Sequence, residues 1–111
     1  MAKAKATTPT KAAKAGTDAG KRLRQAQQAA ILLKQVSTPT RLHIILVLAE
    51  GEKHVGWICK TLKHSPPATS HHLALLRHGG LIAPRREGKY NFYGITERGE
   101  ELASIVKKLI G

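Results

Sequence analysis

Hydrophobic side chains recur at steps of three and four residues along most of the chain, the spacing of amphipathic helices. A first helix is predicted from Asp18, and Ser37 ends it. Thr38-Pro39 pairs a capping residue with proline at the first helical position, so a second helix begins there and runs to Gly51. Its dense apolar positions place it deep in the core. The apolar positions are Leu23, Ala26, Ala30, Leu33 and Val36 in the first helix, and Leu42, Ile45, Leu46, Leu48 and Ala49 in the second.

Two short helices joined by a tight turn are predicted next. Ser65 is a good capping residue and Pro66 a good first-turn residue, so a fourth helix is expected from there to the glycine pair 79–80. The third helix precedes it and is indicated by the helical spacing of Val55, Ile58 and Leu62.

A β-hairpin and a last helix complete the pattern. Residues 81–86 and 90–95 are β-prone and flank the glycine-containing loop Glu87-Gly88-Lys89. Thr96 then caps a helix whose apolar stripe is Leu102, Ile105, Val106 and Leu109. The predicted fold class is mainly α with a small β-hairpin (α+β): four helices, a hairpin and a final helix, the order of a winged helix-turn-helix.

Charge and length define the organisation of the chain. Its 111 residues suffice for one domain, predicted over 18–111, and residues 1–17 contain no bulky apolar side chain, so we expect a disordered basic tail there. Lys and Arg number 19 against 7 Asp and Glu, a net charge of +12, and the first 24 residues carry +6 of it. A polyanionic partner is indicated, with the tail as a contact to phosphates.

Double-stranded DNA is the favoured polyanion. No apolar run approaches the ~20 residues of a membrane span, and the single cysteine, Cys59, excludes an internal disulfide. We therefore expect a soluble, cytoplasmic, nucleoid-associated protein without a membrane partner. Motifs for a nucleophile elbow, a phosphate-binding glycine loop or a zinc protease do not occur, so neither an enzyme nor a cofactor is predicted.

A helix-turn-helix followed by a basic hairpin places its second helix in the major groove and its hairpin near the backbone or minor groove. We call helix 66–78 the recognition helix and hairpin 81–95 the wing. The candidate DNA-binding residues are Ser65, Pro67, Thr69, Ser70, His71 and Ala74 at the helix, and Arg85, Arg86, Lys89 and Tyr90 on the wing.

Four segments of the chain, in this order, resemble the arsenic-repressor (ArsR/SmtB) family of regulators. They are residues 37–42 (STPTRL), 65–77 (SPPATSHHLALLR), 80–82 (GLI) and 85–89 (RREGK). The resemblance implies a homodimeric repressor that pairs through its first and last helices and leaves its operator when a metal ion or another signal binds. The expected dimer contacts are Leu23, Ala26, Ala30, Leu33, Leu102, Ile105, Val106 and Leu109.

Two departures from the family pattern limit what the resemblance implies. Metal sensors of the family carry a Glu-Leu-Cys-Val box, and the matching segment here is Glu52-Lys53-His54-Val55, without a thiolate. The last helix also lacks His and Asp, so no family-type metal site is expected; a nonstandard site would draw on His54, Cys59 and His64. Pro66 stands where the family commonly has glutamine, which leaves specificity to Ser70 and His71.

Two alternatives remain open for the function, and one for the cysteine. A non-specific architectural protein would use the tail and wing without reading sequence, although one Trp, two Tyr and one Phe offer little surface for stacking on single strands. A wing domain adapted to protein partners would show no affinity for DNA. Cys59 is either a small core residue or a redox-sensitive thiol.

Overall fold

A computed structural model describes residues 12–111, with side chains from Asp18 onward. The first helix begins at Ala12 rather than Asp18, and residues 1–11 of the predicted tail lie outside the described residues.

Contacts divide the chain into two units, the first ending at Leu33, and the predicted single domain 18–111 stays a prediction. The elements are α1 (Ala12–Gln35), α2 (Pro39–Leu48), β1 (Lys53–His54), α3 (Val55–Leu62), α4 (Pro66–His78), β2 (Ile82–Glu87), β3 (Tyr90–Ile95) and α5 (Glu97–Ile110).

Hydroxyl side chains begin three of the helices, as predicted. Thr38, Ser65 and Thr96 each accept the backbone N–H of the residue three positions later, at 3.2, 3.3 and 3.1 Å. These bonds satisfy N–H groups that have no partner within the helix. The cap of α3 was not predicted: Nδ1 of His54 accepts the N–H of Gly56 at 2.9 Å.

The sheet has a third strand that the sequence pattern did not reveal. The predicted hairpin of β2 and β3 is confirmed, and β1 pairs antiparallel with β3 to give the order β1-β3-β2. Lys53 lies opposite Tyr93 and His54 opposite Phe92. Two residues are too few to produce an alternating pattern. The wing is therefore attached at its base to the segment that leads into α3.

The core of residues 34–111 forms around α2 and the recognition helix α4. Leu102 was predicted as a dimer contact but is only 8% exposed, so that assignment is wrong. The apolar stripe of α5 is wide enough to serve two surfaces, and Leu102 lies on the inner one. The buried hydrophobic residues are Val36, Ile44, Ile45, Leu48, Ile58, Leu73, Leu76, Leu81, Ile82, Leu102 and Ala103.

Helix α1, taken by itself, exposes large apolar side chains. Leu23, Ile31 and Leu33 are 59%, 65% and 53% exposed. Between Leu23 and Ile31 lie Arg24 and the glutamines at 25, 27 and 28, so the helix is amphipathic. No single helix within residues 12–111 is long and apolar enough to cross a membrane; the bent pair Asp18–Gln35 and Pro39–Leu48 meets that criterion by length and composition only.

Hydrogen bonds join the end of α4 to the start of α5. The hydroxyl of Thr96 donates to the carbonyl of Gly80 at 2.6 Å, and its N–H donates to the carbonyl of Leu81 at 3.0 Å. Gly99 is buried at this junction, and a Cβ there would overlap the carbonyl oxygen of Leu81. Only glycine permits this approach of α5 to the start of the wing.

Gly99→Ala should destabilise the protein by ~1–3 kcal/mol, because overpacking against backbone outweighs the better helix propensity of alanine. Urea unfolding measures the change. Ser104→Ala, at an exposed position of the same helix, should stay within about 0.5 kcal/mol of the unsubstituted protein. Equal stability of the two variants would mean that α5 moves away from Leu81 at no cost.

Candidate nucleic-acid interface

A tight turn positions the recognition helix. Lys63 adopts a left-handed conformation, with φ of 58°, and its N–H donates to the carbonyl of Lys60 at 3.3 Å. The N–H of His64 donates to the carbonyl of Cys59 at 3.2 Å. The last carbonyls of α3 are thus satisfied within the turn. Ser65 then caps α4 at once, so the predicted helix-turn-helix is present.

The recognition helix has one buried and one exposed face. Thr69 was predicted to contact DNA, and this is wrong, because its exposed fraction is 0%. It lies four residues before Leu73, on the face that enters the core. Ser65 is exposed, but its hydroxyl is occupied by the cap. The exposed residues of this helix that were predicted to contact DNA are Pro67, Ser70 and His71.

A cleft of about 160 Å³ lies between the recognition helix and β3. Ala74, the last of the predicted helix contacts, is half-buried there. Side chains from both elements line the cleft, and three of its polar ones were not predicted: Arg77, Asn91 and Tyr93. The helical spacing from Ser70 and Ala74, and the alternation along β3, are the signals that locate them.

The tip of the wing is a two-residue turn that carries exposed cations. Glu87 lies opposite Tyr90, which leaves Gly88 and Lys89 as the turn, and Gly88 has a positive φ of 62°. Glycine is preferred at the first central position of such a hairpin turn. Nε of Arg86 donates to the carbonyl of Gly88 at 3.2 Å. Arg86 and Lys89 are exposed and suited to phosphate contact.

Arg85 lies on the opposite face of the wing, in register with Phe92. Its Nε and Nη2 donate to the two carboxylate oxygens of Glu52 at 2.9 and 2.7 Å, and Nη1 donates to Glu87 at 2.6 Å. Its guanidinium carbon is 4.8 Å from the ring centroid of Phe92. The hydrogen bonds that Arg85 donates to Glu52 lower the pKa of Glu52 and raise the pKa of Arg85.

The phosphate contact predicted for Arg85 stays a prediction, and in the free protein its guanidinium is already bound to two carboxylates. Two carboxylates around one guanidinium leave this face of the wing with a negative charge, which a DNA backbone would repel. We call Glu52, Arg85 and Glu87 the carboxylate clamp. It connects the segment before β1 to β2, across 33 residues of chain, which is why local sequence patterns did not reveal it.

The residues proposed for a nonstandard metal site each have different surroundings. The ring of His54 packs edge-on against those of Tyr90 and Phe92, with centroids 5.2 and 5.5 Å apart. Nε2 of His64 lies 3.3 Å from the hydroxyl of Thr40. Cys59 is free and half-buried. No group of three potential ligands that could hold a metal ion occurs in the described part of the chain.

Lys53 and Trp57 lie at the base of the wing. Trp57 is 42% exposed on α3. The ammonium nitrogen of Lys53 lies 4.6 Å from the centroid of the indole ring. This cation–π contact joins β1 to the first turn of the helix that follows it.

Residues 38–83, which contain both helices of the helix-turn-helix, match the profile described as bacterial regulatory protein, arsR family. An uncharacterized HTH-type transcriptional regulator of Methanocaldococcus jannaschii is 40% identical over 85 residues, which cover 75% of this chain and 96% of that protein. The chain belongs to the arsR family. The family resemblance inferred from the sequence is thereby confirmed.

Solved structures agree with the arsR-family assignment. Reduced HlyU from Vibrio cholerae has a TM-score of 0.74 and 30% identity, over 80% of this chain and 95% of that one. A homodimeric winged helix-turn-helix DNA-binding domain from Mycobacterium bovis has a TM-score of 0.72 and 30% identity, over 80% and 83%. As an arsR-family member, the protein is a DNA-binding transcriptional regulator and not an enzyme.

Arg86→Ala and Lys89→Ala should each weaken binding to all duplexes equally and reduce the slope of log K against log salt by about one. Arg85→Ala should leave this slope nearly unchanged, because its guanidinium N–H groups donate to Glu52 and Glu87 and not to phosphate. Titrations of two unrelated duplexes at several salt concentrations measure the slopes. If Arg85→Ala reduces the slope as much as Lys89→Ala does, Arg85 leaves its carboxylates when DNA binds.

Proposed function

We propose that the protein is a sequence-specific repressor whose two recognition helices read the half-sites of a palindromic operator. The observation that carries this proposal is the exposed polar face of the recognition helix, which borders the cleft beside the wing. In this geometry Ser70 and His71 approach base edges in the major groove. Two-fold symmetry of the dimer requires a palindromic operator, and half-sites on one face of the duplex lie about 34–36 Å apart or a multiple of this distance.

The dimer contact is proposed to use apolar side chains of α5 and α1. Ile105, Leu109 and Ile110 of α5 are 53%, 79% and 77% exposed, and Leu23 and Leu33 of α1 are also exposed. Large apolar surfaces of this kind are normally covered by a partner. Ala26 and Ala30 are exposed on α1 and Val106 is half-buried on α5, and we keep them in the proposed interface.

Phosphate contacts are assigned to Arg86, Lys89 and the basic segment 1–17. They supply the affinity that does not depend on sequence, whereas Ser70 and His71 supply discrimination. A DNA-binding regulator of this family works in the cytoplasm, the compartment that holds its DNA. We further propose that most copies remain associated with the nucleoid, because the net charge of +12 gives affinity for any duplex.

A gel-shift titration of the DNA upstream of its own gene against scrambled DNA of equal length tests the function. The upstream fragment should bind at least about 10³-fold more tightly at near-physiological salt. Ser70→Ala and His71→Ala should each cost ~1–3 kcal/mol on the upstream fragment and little on scrambled DNA. Ser104→Ala, on an exposed part of α5, should match the unsubstituted protein on both.

Equal affinity for the two fragments, lost together as salt increases, would support the architectural alternative instead. No binding at low salt would favour a wing domain that recognises a protein.

Leu109→Asp should split the dimer, because it places a carboxylate in the proposed apolar interface. Sedimentation should show a monomer, and affinity for the upstream fragment should fall with it. Ser104→Asp adds the same charge to the same helix away from the apolar stripe and should remain dimeric. A dimeric Leu109→Asp variant would exclude this end of α5 from the interface.

A further inference from the structure

Three histidines and an arginine meet where α2, the α3–α4 turn and the recognition helix come together. We define Arg41, His64 and His72 as the imidazole cluster, and His71 lies beside it. The ring centroid of His72 lies 5.9 Å from that of His64 and 5.9 Å from that of His71. His72 also experiences the positive charge of Arg41. Three separate elements therefore bring basic groups to one place on the surface.

Hydroxyl groups hold the members of the imidazole cluster in position. Nε of Arg41 donates to Oγ1 of Thr38 at 3.2 Å, and Nε2 of His64 lies 3.3 Å from Oγ1 of Thr40. Nδ1 of His72 is closed off from solvent and has no hydrogen-bond partner among the described residues. The arrangement is thus formed within one subunit, before any ligand is bound.

The imidazole cluster lacks a counter-charge. Within the described residues, the charged groups that act on His72 are Arg41, His64 and His71, and all of them are basic. Burial, followed by repulsion from these three groups, lowers the pKa of His72 below its usual 6.5. A proton added to His72 is a like charge placed beside others, so His72 binds a proton weakly in the free protein.

We propose that the imidazole cluster binds a backbone phosphodiester of DNA and takes up protons when it does so. This inference rests on the proposed function, because DNA is the anion that reaches this surface. His71 lies on the exposed face of the recognition helix with its ring centroid 5.9 Å from that of His72, so a duplex on that face lies next to the cluster. An anionic phosphate oxygen supplies the missing counter-charge and stabilises imidazolium.

The direction of the pH dependence follows from proton linkage. The complex holds more protons than the free protein, so affinity for DNA rises as the pH falls through the titration range of imidazole. The stability of the free protein depends on pH in the opposite direction. A histidine whose pKa is lowered by folding stabilises the native state above its usual value of 6.5 and loses that contribution as the pH falls. Acid therefore strengthens DNA binding while it weakens the unbound fold.

Duplex titrations of the full chain at about pH 6 and about pH 8, at fixed ionic strength, test the proposal. The unsubstituted protein should bind about tenfold more tightly at the lower pH, which requires a combined pKa increase of at least about one unit on binding. The double variant His64→Gln, His72→Gln should lose this gain. His43→Gln, which removes an exposed histidine of α2 outside the cluster, should keep it.

Thermal melts establish that the variants are folded, and His64→Gln alone removes an exposed ring without touching the core. This single variant should show a reduced gain at the lower pH. A full tenfold gain in both His64→Gln and the double variant would overturn the proposal. Calorimetry with sulfate, which does not titrate in this range, is a second test. If sulfate binding takes up as many protons as DNA binding does, the cluster is a site for small anions and the assignment to DNA is overturned.

Backbone contacts do not depend on base sequence, so scrambled DNA should show the same pH dependence as the upstream fragment. The two proposals therefore fail separately. Equal affinity for both fragments, with the pH dependence lost in the double variant, would reject the specific repressor and keep the phosphate site. Preference for the upstream fragment without pH dependence would reject the phosphate site alone.

Discussion

Burial of the inner face of the recognition helix is the constraint on which the DNA-facing surface depends. Leu73 and Leu76 are 2% and 0% exposed, and Leu81 and Ile82, at the start of the wing, are 0% and 1% exposed. Burial of each such side chain contributes roughly 1.5–3 kcal/mol. The recognition helix and the wing are thus fixed to one core. If the helix rotated to present other residues to DNA, these four buried side chains would become exposed.

Much of this arrangement could be predicted because its determinants are local. Thr38, Ser65 and Thr96 begin helices by bonding three residues ahead, and apolar spacing marks the faces between them. Prediction was wrong where the environment, not the residue type, decides burial. Thr69 is polar but is enclosed by the core, and Leu102 shares a stripe with residues that face outward.

The parts that were not predicted depend on distant or very short segments. Glu52 and Arg85 meet only because β1 joins the sheet beside β3, and two residues give no periodic signal for that strand. The same pairing divides the charge of the wing between its faces: Arg86 and Lys89 stay exposed at the tip, whereas Arg85 is neutralised. A count of the basic residues on the wing therefore overestimates the positive potential that DNA encounters. The strand pairing shows which of these residues, Arg85, is paired with carboxylates.

The contact between Lys53 and Trp57 makes the intrinsic fluorescence of the protein sensitive to the position of β1. Trp57 is the single tryptophan of the chain, and the ammonium group above its indole belongs to the strand that holds the wing. Any displacement of β1 changes the electric field at the indole and hence its emission spectrum. Movements of the wing can thus be followed by intrinsic fluorescence in the unlabelled protein, at a site that is not among the proposed DNA contacts.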